Sequence, residues 1–311
     1  MHRRHRLGRS NQASAYYGFW QRIKPKTDAA ASNAFMSNPA CVTQAQRRTA
    51  LLYRTGCLHN QKRAKRFGMV KSDACPLCRQ PDGCSHIASG CRHAAMERMY
   101  TERHNRAGRI LLRAISKGDR GNDLVMADVG SAAKCDADGA PTLNINHVPL
   151  SLLPYPKPAT EQQRENHLSA LRRLRPDALL VSQGSSESAT KITIIEVKYC
   201  IDTKPEDQMA RAREQHQELI RRLVEAGYSA RNISICPLLV GVSGTIYKRT
   251  IKALKSLTKL HTEAIRSLHD IVARPAGTWN TPAIPKTTLP NLPEPSGAGQ
   301  ARGGGSFLSL W

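Results

Sequence analysis

Apolar residues recur at helical spacing over residues 94 to 117, where Met96, Met99, Ala107, Ile110, Leu111 and Ala114 can share one face and Gly118 supplies a stop. A second such stretch, 206 to 226, carries Met209, Ala212, Leu219, Ile220, Leu223 and Val224 and ends at Gly227. Further helices are expected at 160 to 174 and 247 to 273. Elsewhere the period shortens. L-V-M-A-D-V-G at 124 to 130 reads as a short strand, and D-A-L-L-V-S (177 to 182) and T-K-I-T-I-I-E-V-K-Y (190 to 199), joined by Q-G-S-S-E-S-A, read as a hairpin rich in β-branched residues. The run I-S-I-C-P-L-L-V-G-V (233 to 242) is expected as a buried strand, in which Pro237 asks for a bulge or an edge position. No internal repeat is visible.

The ends of the chain lack this patterning. Residues 1 to 45 have many small side chains and no period, and are expected as a flexible tail. Residues 46 to 74 are helix-prone and strongly basic, with a break at Gly56, and are expected as a basic helical arm. Six prolines between Pro275 and Pro295, followed by G-A-G-Q-A-R-G-G-G-S, suggest that 274 to 311 is disordered.

Composition changes the picture through charge. The 311 residues hold 47 Lys and Arg against 24 Asp and Glu, a net +23. Residues 1 to 120 contribute 24 basic and 6 acidic side chains, or +18, and the remainder only +5. So charged a front end calls for a polyanion, either nucleic acid or an anionic membrane. No apolar run approaches the roughly 18 to 20 residues that span a bilayer, which leaves nucleic acid. The Arg-rich start is followed by no apolar segment of the kind a secretory signal needs, although a transit peptide could look similar.

Four of the nine cysteines fall within seventeen residues, which points to metal binding in a reducing compartment. The motif Cys75-x₂-Cys78-x₇-His86-x₄-Cys91 offers the four ligands of a closed, structural zinc site, with Pro76 stiffening the first turn. Cys84 and His93 lie two residues from His86 and Cys91, so a shifted ligand register stays open.

A second constellation is Arg175-Pro176-Asp177 followed, after eighteen residues, by Glu196-Val197-Lys198. Strand alternation sends Glu196 and Lys198 to one face and Ile195 and Val197 to the other. An acid and a lysine on an otherwise core-like strand are costly unless they serve a site. With Asp177 on the neighbouring strand, the two carboxylates could share a Mg²⁺, and Lys198 could orient a water or stabilise charge at phosphorus. An ion pair at a sheet edge is the plainer alternative.

The succession helix, three strands, helix, strand, with the acid on the second strand and E-x-K on the third, resembles the αβββαβ core of the PD-(D/E)XK restriction-like nucleases. The zinc motif, then R-H-N at 103 to 105, then R-P-D and E-V-K-Y, resembles the C-terminal part of site-specific non-LTR retrotransposon proteins over roughly residues 46 to 255. That resemblance implies an α/β fold with a mixed sheet: a CCHC knuckle at 75 to 93 ahead of a nuclease domain at 94 to 273. It implies that Asp177, Glu196 and Lys198 nick target DNA with Mg²⁺, and that the freed 3′-OH primes reverse transcription, as expected of a nuclear protein. The knuckle and its basic flank, including Arg63, Lys65 and Arg66, would hold DNA or element RNA. Arg175 would add a phosphate contact, and Arg103, His104 and Asn105 would either contact DNA or support the site. No Asp-Asp pair of the kind an upstream polymerase domain carries is present, so a reverse transcriptase would act upstream or in trans and the chain is expected as the tail end of an element. Lys204, Gln215 and His216 could face the scissile phosphate, Tyr199 is expected as packing, and Asp128 as a further ligand or a turn cap. The competing expectations are a nucleic-acid-binding module that no longer cuts and a junction-resolving or repair nuclease.

Overall fold

A computed structural model describes residues 21, 23–37, 44–116, 124–127, 143–144, 147–202 and 204–268. All of them belong to one compact unit, residues 1–277. Asp128, residues 1–20, 22 and 38–43 of the tail expected at 1–45, and the tail expected at 274–311 lie outside the described residues.

The fold is mixed α/β, built on a mixed five-stranded sheet. Its strands are β1 (Leu124–Ala127), β2 (Leu143–Asn144), β3 (Ala178–Ser182), β4 (Lys191–Cys200) and β5 (Ile233–Gly241), in the order β2-β1-β3-β4-β5. The β3/β4 hairpin is antiparallel with Ala178 opposite Ile195 and Val181 opposite Ile192, while β5 runs parallel to β4 with Ile195 beside Cys236. β1 is antiparallel to β3, and the two-residue β2 is parallel to β1. Pro237 is tolerated because β5 is the edge strand, so its missing N–H breaks no inner ladder.

The helices of the described residues are α1 (Ala29–Ser37), α2 (Gln44–Arg54), α3 (Gln61–Arg66), α4 (Ala94–Ser116), α5 (Glu161–Arg173), α6 (Pro205–Gln215), α7 (Gln217–Glu225), α8 (Lys248–Leu257) and α9 (261–268). None is long and apolar enough to cross a membrane. Alternation along the strands divides the core in two. Ala178, Leu180, Ile195, Val197, Leu238 and Val240 face α4, α8 and α9, meeting Ala107, Leu111, Ile115, Leu254 and Leu268. Leu179, Val181, Ile192 and Ile194 face the other way, onto Leu171 of α5 and Leu219 and Leu223 of α7. Each fully buried Leu or Ile contributes roughly 1.5 to 3 kcal/mol, so both layers help to hold the sheet between its helices.

Local signals set the helix ends. Thr160 and Gln163 form a reciprocal capping box at the start of α5. The stretch expected as one helix over 206 to 226 divides at His216, whose φ of −104° and ψ of 6° interrupt the helical path between α6 and α7. Gly227, at φ +99°, ends α7 in a conformation that favours glycine.

The front of the chain departs from expectation. Residues 23–37, read as part of a loose tail, fold against the body. Ile23 is buried, Thr27 forms a β-bridge with Tyr247, and Ser32 Oγ bonds both the N–H and the carbonyl of Ile246 at 2.9 and 3.3 Å. The backbone beyond β5 would otherwise leave these groups unpaired. The basic arm does break at Gly56, at φ +68°, but it is not free throughout. Buried Arg54 donates to the Ser243 and Ser32 carbonyls at 3.0 and 2.6 Å and to Asn33 Oδ1 at 2.7 Å.

Candidate functional site

The knuckle begins with a tight reversal. Cys75 N–H donates to the Gln80 carbonyl at 2.7 Å, Ala74 bridges to Pro81, and Arg79 takes a φ of +64° to complete the turn. A single π-helical turn over His86–Gly90 then carries the chain to Cys91. The donor atoms of Cys75, Cys78, His86 and Cys91 lie within 4.8 Å of one another, with Cys78 Sγ 3.3 Å from His86 Nε2. Tetrahedral zinc with bonds of roughly 2.0 to 2.3 Å separates its donors by about 3.3 to 3.8 Å. Three thiols and an imidazole at this spacing suit a borderline-soft ion, so the cluster can hold a metal such as zinc with small adjustments. The ligand register is also resolved. Cys84 lies outside the cluster, where its sulfur accepts from Asn60 Nδ2 at 3.5 Å and burial raises its thiol pKa, while His93 Nδ1 accepts from Ala95 N–H at the start of α4.

The knuckle is fastened to the sheet by α4. Tyr100 Oη donates between the His86 and Ile87 carbonyls, 3.2 and 2.7 Å away, and accepts from Cys91 N–H at 3.3 Å. One turn on, Arg103 is only 6% exposed and donates to the Ala88 carbonyl at 3.0 Å. Its guanidinium lies 5.3 Å from the Tyr100 ring centroid and 4.6 Å from that of Tyr199 on β4. Arg103 is thus a clamp between knuckle and strand and not a nucleic-acid contact, because its charge is buried among groups of the protein itself. Tyr199 packs beneath it, as expected.

His104, next in sequence, reaches the strand ends. Its Nε2 donates to the Val197 carbonyl at 2.9 Å and lies 3.2 Å from Asp177 Oδ2, and Nδ1 faces Asn105 Oδ1 at 3.3 Å. Burial opposes the charge on this imidazole, but the Asp177 carboxylate, then Asn105 and the Val197 carbonyl, outweigh it and push its pKa up to about 9. Both ring nitrogens face oxygen acceptors, the arrangement of an imidazolium. His104 thus ties α4 to the end of β3 and to the backbone of β4.

Asp177 immediately precedes β3, and the Ala178–Ile195 pairing sets it opposite Glu196. Its Oδ2 accepts from Val197 N–H at 2.7 Å as well as facing His104. Glu196 is 3% exposed. Its Oε1 lies 2.5 Å from Lys198 Nζ and accepts from Gln215 Nε2 at 3.3 Å, and its Oε2 lies 2.9 Å from His216 Nε2. Gln215 Oε1 accepts from Lys198 at 2.9 Å, which closes the ring of contacts. Burial alone would raise the Glu196 pKa, but His216 and Lys198 reverse the direction and hold it below the ordinary value, so a buried carboxylate stays charged. The break between α6 and α7 supplies Gln215 and His216 from one turn. His216 is 1% exposed, and its Nδ1 has no hydrogen-bond partner.

No protein-family model matches the chain. No curated protein matches it either.

The chemistry therefore rests on the residues themselves. Lys198, Gln215 and His216 gather on Glu196, while Asp177, at the end of the neighbouring strand, is joined to the Val197 N–H and to His104. Lys204 is not among them, since it is exposed and pairs with Asp207 at 3.7 Å at the start of α6. Arg175 is half-buried two residues ahead of Asp177. On the arm, Arg66 and Lys65 are exposed, Lys65 pairing with Asp73 at 3.1 Å, while half-buried Arg63 donates to the Gly56 carbonyl and lies over the Phe67 ring. Sequence reasoning left Gln215 and His216 as weak candidates and missed the tie from His104 to Asp177. The only signal for that tie was a polar R-H-N on a helix whose neighbouring positions are core.

Proposed function

We propose that this chain is a retrotransposon-derived, metal-dependent DNA endonuclease of the PD-(D/E)XK type, with a structural zinc at its Cys3His cluster. The observation that supports this reading is Glu196, buried and still charged against Lys198 and His216, with Asp177 at the end of the neighbouring strand bonded to the Val197 N–H. Burying an ionised carboxylate is expensive, and a purely structural sheet would place an apolar side chain there. Apart from β2 and α5, which stand between β1 and β3, the succession of α4, β1, β3, β4, the α6/α7 pair and β5 resembles the one this class of nuclease uses.

In this reading Asp177 and Glu196 would hold a Mg²⁺, whose chemistry there would be Lewis-acid polarisation of the scissile phosphate and acidification of the attacking water. The donor set suits a hard cation, because Asp177 engages its neighbours through one oxygen, Oδ2, which keeps Oδ1 for the ion. Glu196 would exchange Lys198 for the cation, freeing the ammonium to meet the phosphate while Gln215 keeps it within reach. His216 fixes the other Glu196 oxygen, and His104 fixes Asp177. The basic front holds the DNA, and a reverse transcriptase domain upstream or in trans would use the freed 3′-OH.

A second reading, a knuckle module that binds without cutting, draws on the same contacts, since Lys198, Gln215 and His216 already satisfy Glu196 in full. Supercoiled plasmid with Mg²⁺ separates the two. Nicking by the wild type, reduced at least about 100-fold in Asp177→Ala and Lys198→Ala, is expected for the nuclease. Nicking that survives both substitutions rules out this site, and tight binding with no nicking selects the module.

A further inference from the structure

Away from the carboxylates, a cleft of about 690 Å³ opens between α3, the knuckle loop and the ends of β4 and β5. Lys62, Arg63, Arg66 and Phe67 line one wall, Asp82 to His86 the opposite wall, and Asp202 and Ser243 the floor. Its volume lies within the roughly 300 to 1,000 Å³ of sites that enclose a small molecule.

Phe67, the residue that caps the C-terminus of α3, is 61% exposed. Ala64 is the one buried residue of α3, and Gly68 at φ +70° reverses the chain directly after the ring, with Met69 N–H returned to the Ala64 carbonyl. Arg63 lies over the ring at 5.2 Å, and exposed Lys62 and Arg66 flank it. The acids of the cleft are already engaged. Asp82 accepts from the N–H groups of Gln61 and Gly83 at 2.7 and 2.8 Å, and buried Asp202 accepts from Ser243 Oγ at 2.7 Å. A negative ligand therefore meets cations at the rim and satisfied carboxylates within.

We propose that this cleft takes an unpaired nucleotide of a single-stranded nucleic acid, its base stacked on Phe67 and its phosphates held by Lys62 and Arg66. An exposed ring among cations in a concave wall suits a free base face, which a duplex keeps stacked inside. The inference rests on the nucleic-acid-binding half of the function proposed above and is independent of cutting.

The test uses the full, metal-loaded chain and fluorescence polarisation with labelled ten-nucleotide dT and rU strands, beside a DNA duplex of ten base pairs. Phe67→Ala is expected to weaken single-strand binding about 5- to 150-fold while leaving duplex binding within about twofold, and Phe67→Trp to retain it. Replacing both Lys62 and Arg66 by Ala should lower the salt slope for single strands by about 1.4. Loss confined to one label identifies the natural strand as DNA or RNA. Single-strand affinity unchanged in Phe67→Ala, or lost equally for strand and duplex, overturns the proposal. Plasmid nicking is scored in parallel: a wild type that never nicks but shows Phe67-dependent binding sinks the nuclease and leaves the cleft, and nicking without a Phe67 effect does the reverse.

Discussion

His104 shows how much a single side chain can hold in place. It joins α4 to the last residue before β3 and to the backbone of β4, and its charge is favoured because the carboxylate, amide and carbonyl around it all present oxygen. Its pKa rises from 6.5 to about 9 on folding, so the stabilisation it provides is fully present below about pH 6.5 and disappears as pH climbs through about 9. The melting temperature of the wild type should therefore exceed that of His104→Gln most at pH 6 and converge on it by about pH 10. A gap that widens with pH would contradict the ion pair. The pairing of Glu196 with Lys198 was legible from strand alternation alone, since period two fixes which side chains share a face. His104 was not, because helical spacing shows that a polar residue sits near a core stripe but not which distant strand it meets. Gln215 and His216 were obscured for a related reason: a helix continuous through 216 would carry them past the site, and only the break turns both toward Glu196.

At the level of elements, the knuckle and α4 act as a pair. The segment from Ser72 to Cys91 buries few apolar side chains of its own, chiefly Ala88 and two cysteines, so the metal must supply much of its order. Removing the ion with a chelator should therefore deprotect the backbone amides of residues 75 to 91 and the first two turns of α4 in hydrogen exchange. The final turns of α4 should keep their protection, because Leu111 and Ile115 are fully buried and Thr258 caps the Ala114 carbonyl at 2.6 Å. Cys78→Ser should lower the metal content from one ion per chain toward none by mass spectrometry. The ligand set was readable from spacing, and the choice against Cys84 and His93 was not, since both stand two residues from a true candidate and only the fold turns them away. The major strands were found to within a residue or two of their ends, except that β1 is described only to Ala127. The two-residue β2 carries no pattern long enough to see.

Across the whole molecule, the division into a basic front and a near-neutral rear is one of charge and not of folding. Arg54 and Arg103 are buried within the protein, Lys65 is ion-paired, and α4 forms part of the sheet's own core. A fragment beginning at Asn122 would lose the cover over Ile195, Val197 and Leu238. It should lack a cooperative thermal transition, whereas the full chain should show one. Arg54→Ala removes three hydrogen bonds that join α2 and the residues around α1 to the loop after β5, and should cost about 2 to 4 kcal/mol in chemical denaturation. Folding of residues 23–37 was hidden from the sequence because several of its partners are backbone groups at 246 and 247, which no side-chain pattern reports. The Arg103 clamp carries one last consequence, for anyone who would graft this knuckle elsewhere. Tyr100 and Arg103 reach back from the following helix to grip the carbonyls of the metal loop, so the smallest transplantable unit runs past Cys91 to at least Arg103. The recipient must also offer an aromatic ring where Tyr199 stands, or the guanidinium arrives without its second face.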